Sequence, residues 1–174
     1  IQDTTRASFL PEIIASIPRW TELVISSGKD TLEPQVSKIG NYRQYQHIKD
    51  GYIRTIFDWS INKEHLIKND VTIFMNRSQK HNGNVKYTLS PNYNGRIVLN
   101  YSINAQDLNY FDSNEKVEIY LEEIDKGFDL DQRLVWLETK TNNNLSIVTA
   151  ATIAIESVSK PKYKLKYDQK NLLV

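Results

Sequence analysis

The chain has 174 residues, 40% of them hydrophobic and 25% charged, with a formal net charge of +1. This length and composition fit one ordinary globular domain with its own core and exclude a disordered majority. The absence of cysteine rules out disulfides, thiolate metal sites, iron–sulfur clusters and a cysteine nucleophile. The near-neutral charge disfavours nucleic acid as a partner, and no apolar run reaches the roughly 20 residues of a membrane-spanning helix.

In chain order, Phe9, Ile13, Ile14, Ile17, Trp20, Leu23 and Val24 recur at helical spacing. Pro18 lacks an amide donor, so the pattern predicts a short helix over 8–17. Its apolar stripe packs over an open end of the domain or docks on a partner, while residues 20–26 offer an alternative first strand. The chain starts at Ile1 without the basic and apolar regions of a signal peptide, and reads as a processed protein or a piece. Residues 27–50 mix Gly28, Pro34 and Gly40 with polar residues and read as an irregular connection. Residues 1–50 are thus assigned as an N-terminal arm and 51–174 as the β-domain. Phe9, Ile13, Trp20, Tyr42 and Tyr45 are the arm's candidate partner contacts.

Alternation then takes over. Ile53, Phe57, Trp59 and Ile61 share one parity in 52–61, and Val71, Ile73 and Met75 share one parity in 71–75. The stretch His81-Asn82-Gly83-Asn84 is turn chemistry leading into a strand over 85–89, and a second turn over 91–95 precedes Ile97, Leu99, Tyr101 and Ile103. Strands over 117–123 and 133–140 follow a polar loop, and 145–158 is apolar on both parities, as a central strand covered on both faces would be. Seven or eight strands without interleaved helices imply an all-β, antiparallel β-sandwich or jelly-roll-like domain.

The pair 117–123 and 133–140 carries the candidate site. Placing Glu118 opposite Lys140 and Glu122 opposite Trp136 makes one face apolar and avoids opposing Glu118 to Glu138. The other face then holds Glu118, Tyr120, Glu122, Trp136, Glu138 and Lys140. Aromatic rings stack on sugar C–H faces and carboxylates accept hydroxyl protons, so this face is a candidate glycan platform. The alternative is that Trp136 and Tyr120 pack beneath a covering segment.

Asp125, Asp129 and Asp131 lie in the connecting loop, where they are candidate calcium ligands or a solvated acidic turn. His47, His65 and His81 have no metal-ligand spacing. The alternating Lys160, Lys162, Lys164 and Lys166 suit an edge strand guarded against aggregation or a contact for phosphate-rich polymers. No Gly-rich phosphate loop, nucleophile elbow or zinc-protease helix is present, so neither catalytic residue nor cofactor is assigned.

In strand order and size the chain resembles Ig-like modules of Gram-positive adhesins and β-sandwich adaptor domains of phage baseplates. That resemblance implies a non-enzymatic module at a cell surface or in a virion, attaching to a protein partner or a second copy. A carbohydrate-binding module using Trp136 and Tyr120 is the second expectation, and a jelly-roll glycan-active enzyme the third.

Overall fold

The computed structural model describes residues 17–104, 121–141 and 143–162, with the backbone alone of 166–167 and 172–173. Among the described residues the regular elements are strands and there is no helix. They are β1 (Arg19–Ser27), β2 (Asp30–Thr31), β3 (Ile39–His47), β4 (Tyr52–Ser60), β5 (Leu66–Met75), β6 (Gly83–Pro91), β7 (Ile97–Asn104), β8 (Leu121–Asp129), β9 (Leu134–Thr141), β10 (Ser146–Thr152), β11 (Lys166–Tyr167) and β12 (Leu172–Leu173). The sheets run β11-β12-β7-β1-β2, β10-β9-β8 and β3-β4-β5-β6. The chain divides into two compact units, one containing residues 21–102 and the other residues 103–162.

In the first unit, β3 to β6 form an antiparallel meander. Period-two alternation places Phe57 and Trp59 of β4, Ile67, Asn69 and Val71 of β5, and Tyr87 and Leu89 of β6 on one face. Ile25 of β1 joins Trp59 and Ile67 in a buried cluster, with Leu23, Leu99 and Ile97 packed around it. Two sheets thus share one apolar layer within this unit, an arrangement consistent with a β-sandwich. Ser27 Oγ and Tyr93 OH lie 2.5 Å apart, and Tyr87 OH donates to Thr21 O at 3.4 Å. Burial holds the Tyr87 hydroxyl above its ordinary pKa and, with Tyr87 nearby, pushes that of Tyr101 up to about 12.

Several expectations are corrected here. Of the helix predicted over 8–17, Ile17 is irregular chain, and the remainder, with Phe9 and Ile13, lies outside the described residues. Trp20 sits in β1, following the alternative strand reading. The irregular connection expected over 27–50 contains β3, which pairs with β4 across residue 50. This strand shows no alternation because it is an edge strand, exposed over most of its length and interrupted by a bulge between Gly40 and Arg43, with Asn41 at φ 51°. Tyr42 and Tyr45 are exposed on it. Residues 145–158 do not form a covered central strand. β10 is the outermost strand of its sheet in the order β10-β9-β8, and Val148 on its outer side is 63% exposed.

Candidate functional site

The sheet β10-β9-β8 in the second unit carries the described glycan-site candidates, Glu122, Trp136 and Glu138. Its hairpin is built by Asp129, whose Oδ1 accepts the amides of Asp131 and Gln132 at 2.9 and 3.0 Å while Oδ2 accepts Gln132 Nε2 at 3.0 Å. A side-chain acceptor closing its own turn is favourable for Asp. The turn ends at Arg133, at φ 53°. These bonds confine the loop to Leu130–Arg133, so Asp125 and Asp129 belong to β8. The acidic loop expected from Asp125, Asp129 and Asp131 is therefore dispersed. Among the described residues no group of three or more His, Asp or Glu is placed to hold a metal ion.

The tighter loop also changes the register. Glu122 stands opposite Lys140 and Leu121 opposite Thr141, where Trp136 and Leu137 had been expected. A bulge at Ile124 then inserts one residue, after which Asp125 faces Glu138, Lys126 faces Leu137, Gly127 faces Trp136 and Phe128 faces Val135. The bulge reverses parity along β8, keeping Leu121, Lys126 and Phe128 on the side of buried Val135, Leu137 and Thr139. Lys126, only 9% exposed in its side chain, pairs across the bulge with Glu123 at 2.8 Å.

The opposite face has four complete rows. Glu122, Lys140 and Ser146 form the first, Asp125, Glu138 and Val148 the second, Gly127, Trp136 and Ala150 the third, and Asp129, Leu134 and Thr152 the fourth. Trp136, Glu138 and Lys140 on the middle strand are half-buried, whereas Glu122, Asp125, Val148 and Ala150 beside them are exposed. A three-stranded sheet left open on this face by the described residues gives this gradient. The indole of Trp136 lies over Gly127, where a β-carbon would sit 2.5 Å from Cζ2 and 2.6 Å from Cε2.

Of the proposed glycan residues, the structure brings Glu122, Trp136 and Glu138 onto one face; Glu118 and Tyr120 lie outside the described residues. Sequence reasoning missed Asp125 and Gly127 as members of that face. The available signal for Gly127 was a glycine inside an alternating strand, which marks close approach by a neighbour. The register error displaced both residues into a loop.

Tyr45 and His47 of β3 stand opposite Arg54 and Tyr52 on the outer face of β3 to β6. His47 stacks on Tyr52 at 4.9 Å between ring centroids, and its Nδ1 lies 3.0 Å from Asp50 Oδ2. Arg54 binds Asp70 through Nε and Nη2 at 2.9 and 2.5 Å. That hydrogen bond is the main cause of an Asp70 pKa below the ordinary carboxylate value. His65 packs against Tyr93 and lies 3.2 Å from Asn62 Nδ2, a turn contact rather than a ligand set. No helix among the described residues is long and apolar enough to cross a membrane.

The family model of the glycosyl hydrolase family 65 N-terminal domain matches residues 10–171. Among solved structures, a chain described as a kojibiose phosphorylase from the human microbiome superposes with a TM-score of 0.72 at 14% identity. The superposition covers 90% of this chain and 19% of that one, so this chain spans about a fifth of its structural relative. None of the curated proteins is significantly similar in sequence.

These matches overturn the expectation of a non-enzymatic adhesin or virion module, and with it the assignment to a protein that is not an enzyme. That expectation rested on the lack of a catalytic motif, which a non-catalytic part of an enzyme shares. The chain belongs to the family of N-terminal domains of glycosyl hydrolase family 65.

Proposed function

We propose that this chain is the N-terminal domain of an enzyme that breaks a glycosidic bond in a glucose-containing oligosaccharide, with phosphate or water as the acceptor. The supporting observation is the family match across residues 10–171, joined by the fold shared with the kojibiose phosphorylase. Most of that relative lies outside the matched part, which is where the chemistry is assigned. Glycoside cleavage generally needs two carboxyl groups about 5 to 10 Å apart across a cleft that shields the leaving oxygen. Asp125 and Glu138 face each other on an open sheet, where water reaches both, so they are not assigned as that pair. Packing of the two sheets of the first unit as a β-sandwich belongs to the same proposal.

The test is to supply the parent protein with kojibiose and other glucose disaccharides, with and without inorganic phosphate. Glucose and glucose 1-phosphate formed only with phosphate supports phosphorolysis, and glucose formed equally without it supports hydrolysis. Failure to cleave any member of the panel overturns the proposal.

A further inference from the structure

We propose that the outer face of β8, β9 and β10 is a saccharide-contact surface separate from the bond-breaking centre, with a neutral glucan as its occupant. The inference rests on the glycoside-processing reading above. Trp136 supplies the stacking surface. Gly127 and Ala150 flank it in the same row, so neither neighbouring strand raises a bulky side chain beside the indole. A pyranose ring needs that lateral clearance to lie flat on an aromatic face.

The adjoining row supplies the acceptors. Asp125 and Glu138 are directly opposed, and like charges across a ladder are unfavourable unless donors from elsewhere offset them. Sugar hydroxyls are such donors, and carboxylates accept them well. Same-face rows on a strand are about 7 Å apart, so a sugar stacked on Trp136 would bring the hydroxyls at its edge, or those of the next unit, to the carboxylates. One row further, Lys140 and Glu122 add a donor and an acceptor. The carboxylates disfavour a phosphate-rich polymer, and among the described residues they join no group of three or more His, Asp or Glu placed to hold a metal ion.

The 174-residue chain is tested by affinity electrophoresis through soluble glycogen and by tryptophan-fluorescence titration with maltoheptaose and kojibiose. Retention of the wild type is expected, with at least a tenfold loss of affinity in Trp136→Ala and partial recovery in Trp136→Phe. Gly127→Ala retains every proposed ligand group but displaces the indole, and is expected to weaken binding several-fold. The changes Asp125→Asn, at an exposed position, and Glu138→Gln, at a half-buried one, are expected to lower affinity about threefold without lowering the unfolding midpoint, which keeps the test decisive should Trp136→Ala fail to fold. No retention of the wild type overturns the proposal. So does equal retention of folded Trp136→Ala, equal affinity of both carboxamide variants, or binding of polylysine in place of glucan. If the parent enzyme cleaves glycosides while this face binds none, the surface proposal alone falls; if it cleaves none, the functional reading falls independently.

Discussion

Trp136 lies across Gly127 on the adjacent strand so closely that any side chain at position 127 would occupy the volume of the indole. Replacing glycine by alanine within a strand ordinarily stabilises by about 0.5–1 kcal/mol, because glycine loses more backbone entropy on folding. At Gly127 the sign is expected to reverse, since the indole must leave its site. A destabilisation of roughly 1–3 kcal/mol by urea unfolding is the predicted result for Gly127→Ala. An unchanged or raised midpoint would mean that the ring is free to move aside.

Asn69 is 1% exposed among Ile67, Val71 and Trp59 on the packed face; its Nδ2 donates to Ile67 O at 2.8 Å while its Oδ1 has no partner among the described residues. Asn69→Asp places a charge there and is expected to cost about 3 kcal/mol or more at neutral pH. Burial raises the pKa of the new carboxyl, so stability is expected to recover as pH falls below that value and the group becomes neutral. Asn69→Leu removes the orphan oxygen together with one hydrogen bond and should cost less than about 1.5 kcal/mol. Denaturant titrations of both variants at pH 4 and pH 7 separate the charge effect from the packing effect.

Tyr87 and Tyr101 make alkaline stability the informative pH range. Both hydroxyls are raised by burial, Tyr101 to about 12, whereas an unfolded tyrosine ionises at about 10. Below pH 10 both states hold the protons and there is no effect. Between about 10 and 12 the unfolded chain releases protons that the folded chain keeps, so stability falls as pH rises. Tyr101→Phe is expected to flatten that decline in thermal unfolding followed from pH 8 to 12.

The Arg54–Asp70 pair on the outer face of β4 and β5 is bidentate yet water-exposed. A double-mutant cycle with Arg54→Ala and Asp70→Asn is therefore expected to return a coupling of no more than about 1 kcal/mol, reduced further at high salt. A coupling several times larger would show that the pair is shielded in solution.

The strands with one buried face were legible in the sequence. β4 and β6 fall almost where alternation and the turn His81-Asn82-Gly83-Asn84 place them, because each shows the core one apolar parity. β3 was not legible. At the sheet edge its side chains are solvated on both faces, so no apolar period was required of it. The functional context was not legible either, because the chain carries no catalytic motif.

By itself the sequence determined an all-β antiparallel chain and the parity that puts Trp136, Glu138 and Lys140 on one side of β9, consequences of a two-residue repeat. Only the tertiary structure decided what faces them. The Asp129 turn shortened the loop, and the bulge at Ile124 reversed the parity of β8, so Asp125 and Gly127 moved onto the face with Trp136. A single inserted residue exchanges the two faces of a strand, and the cost of a bulge depends on the ladder around it rather than on the local sequence.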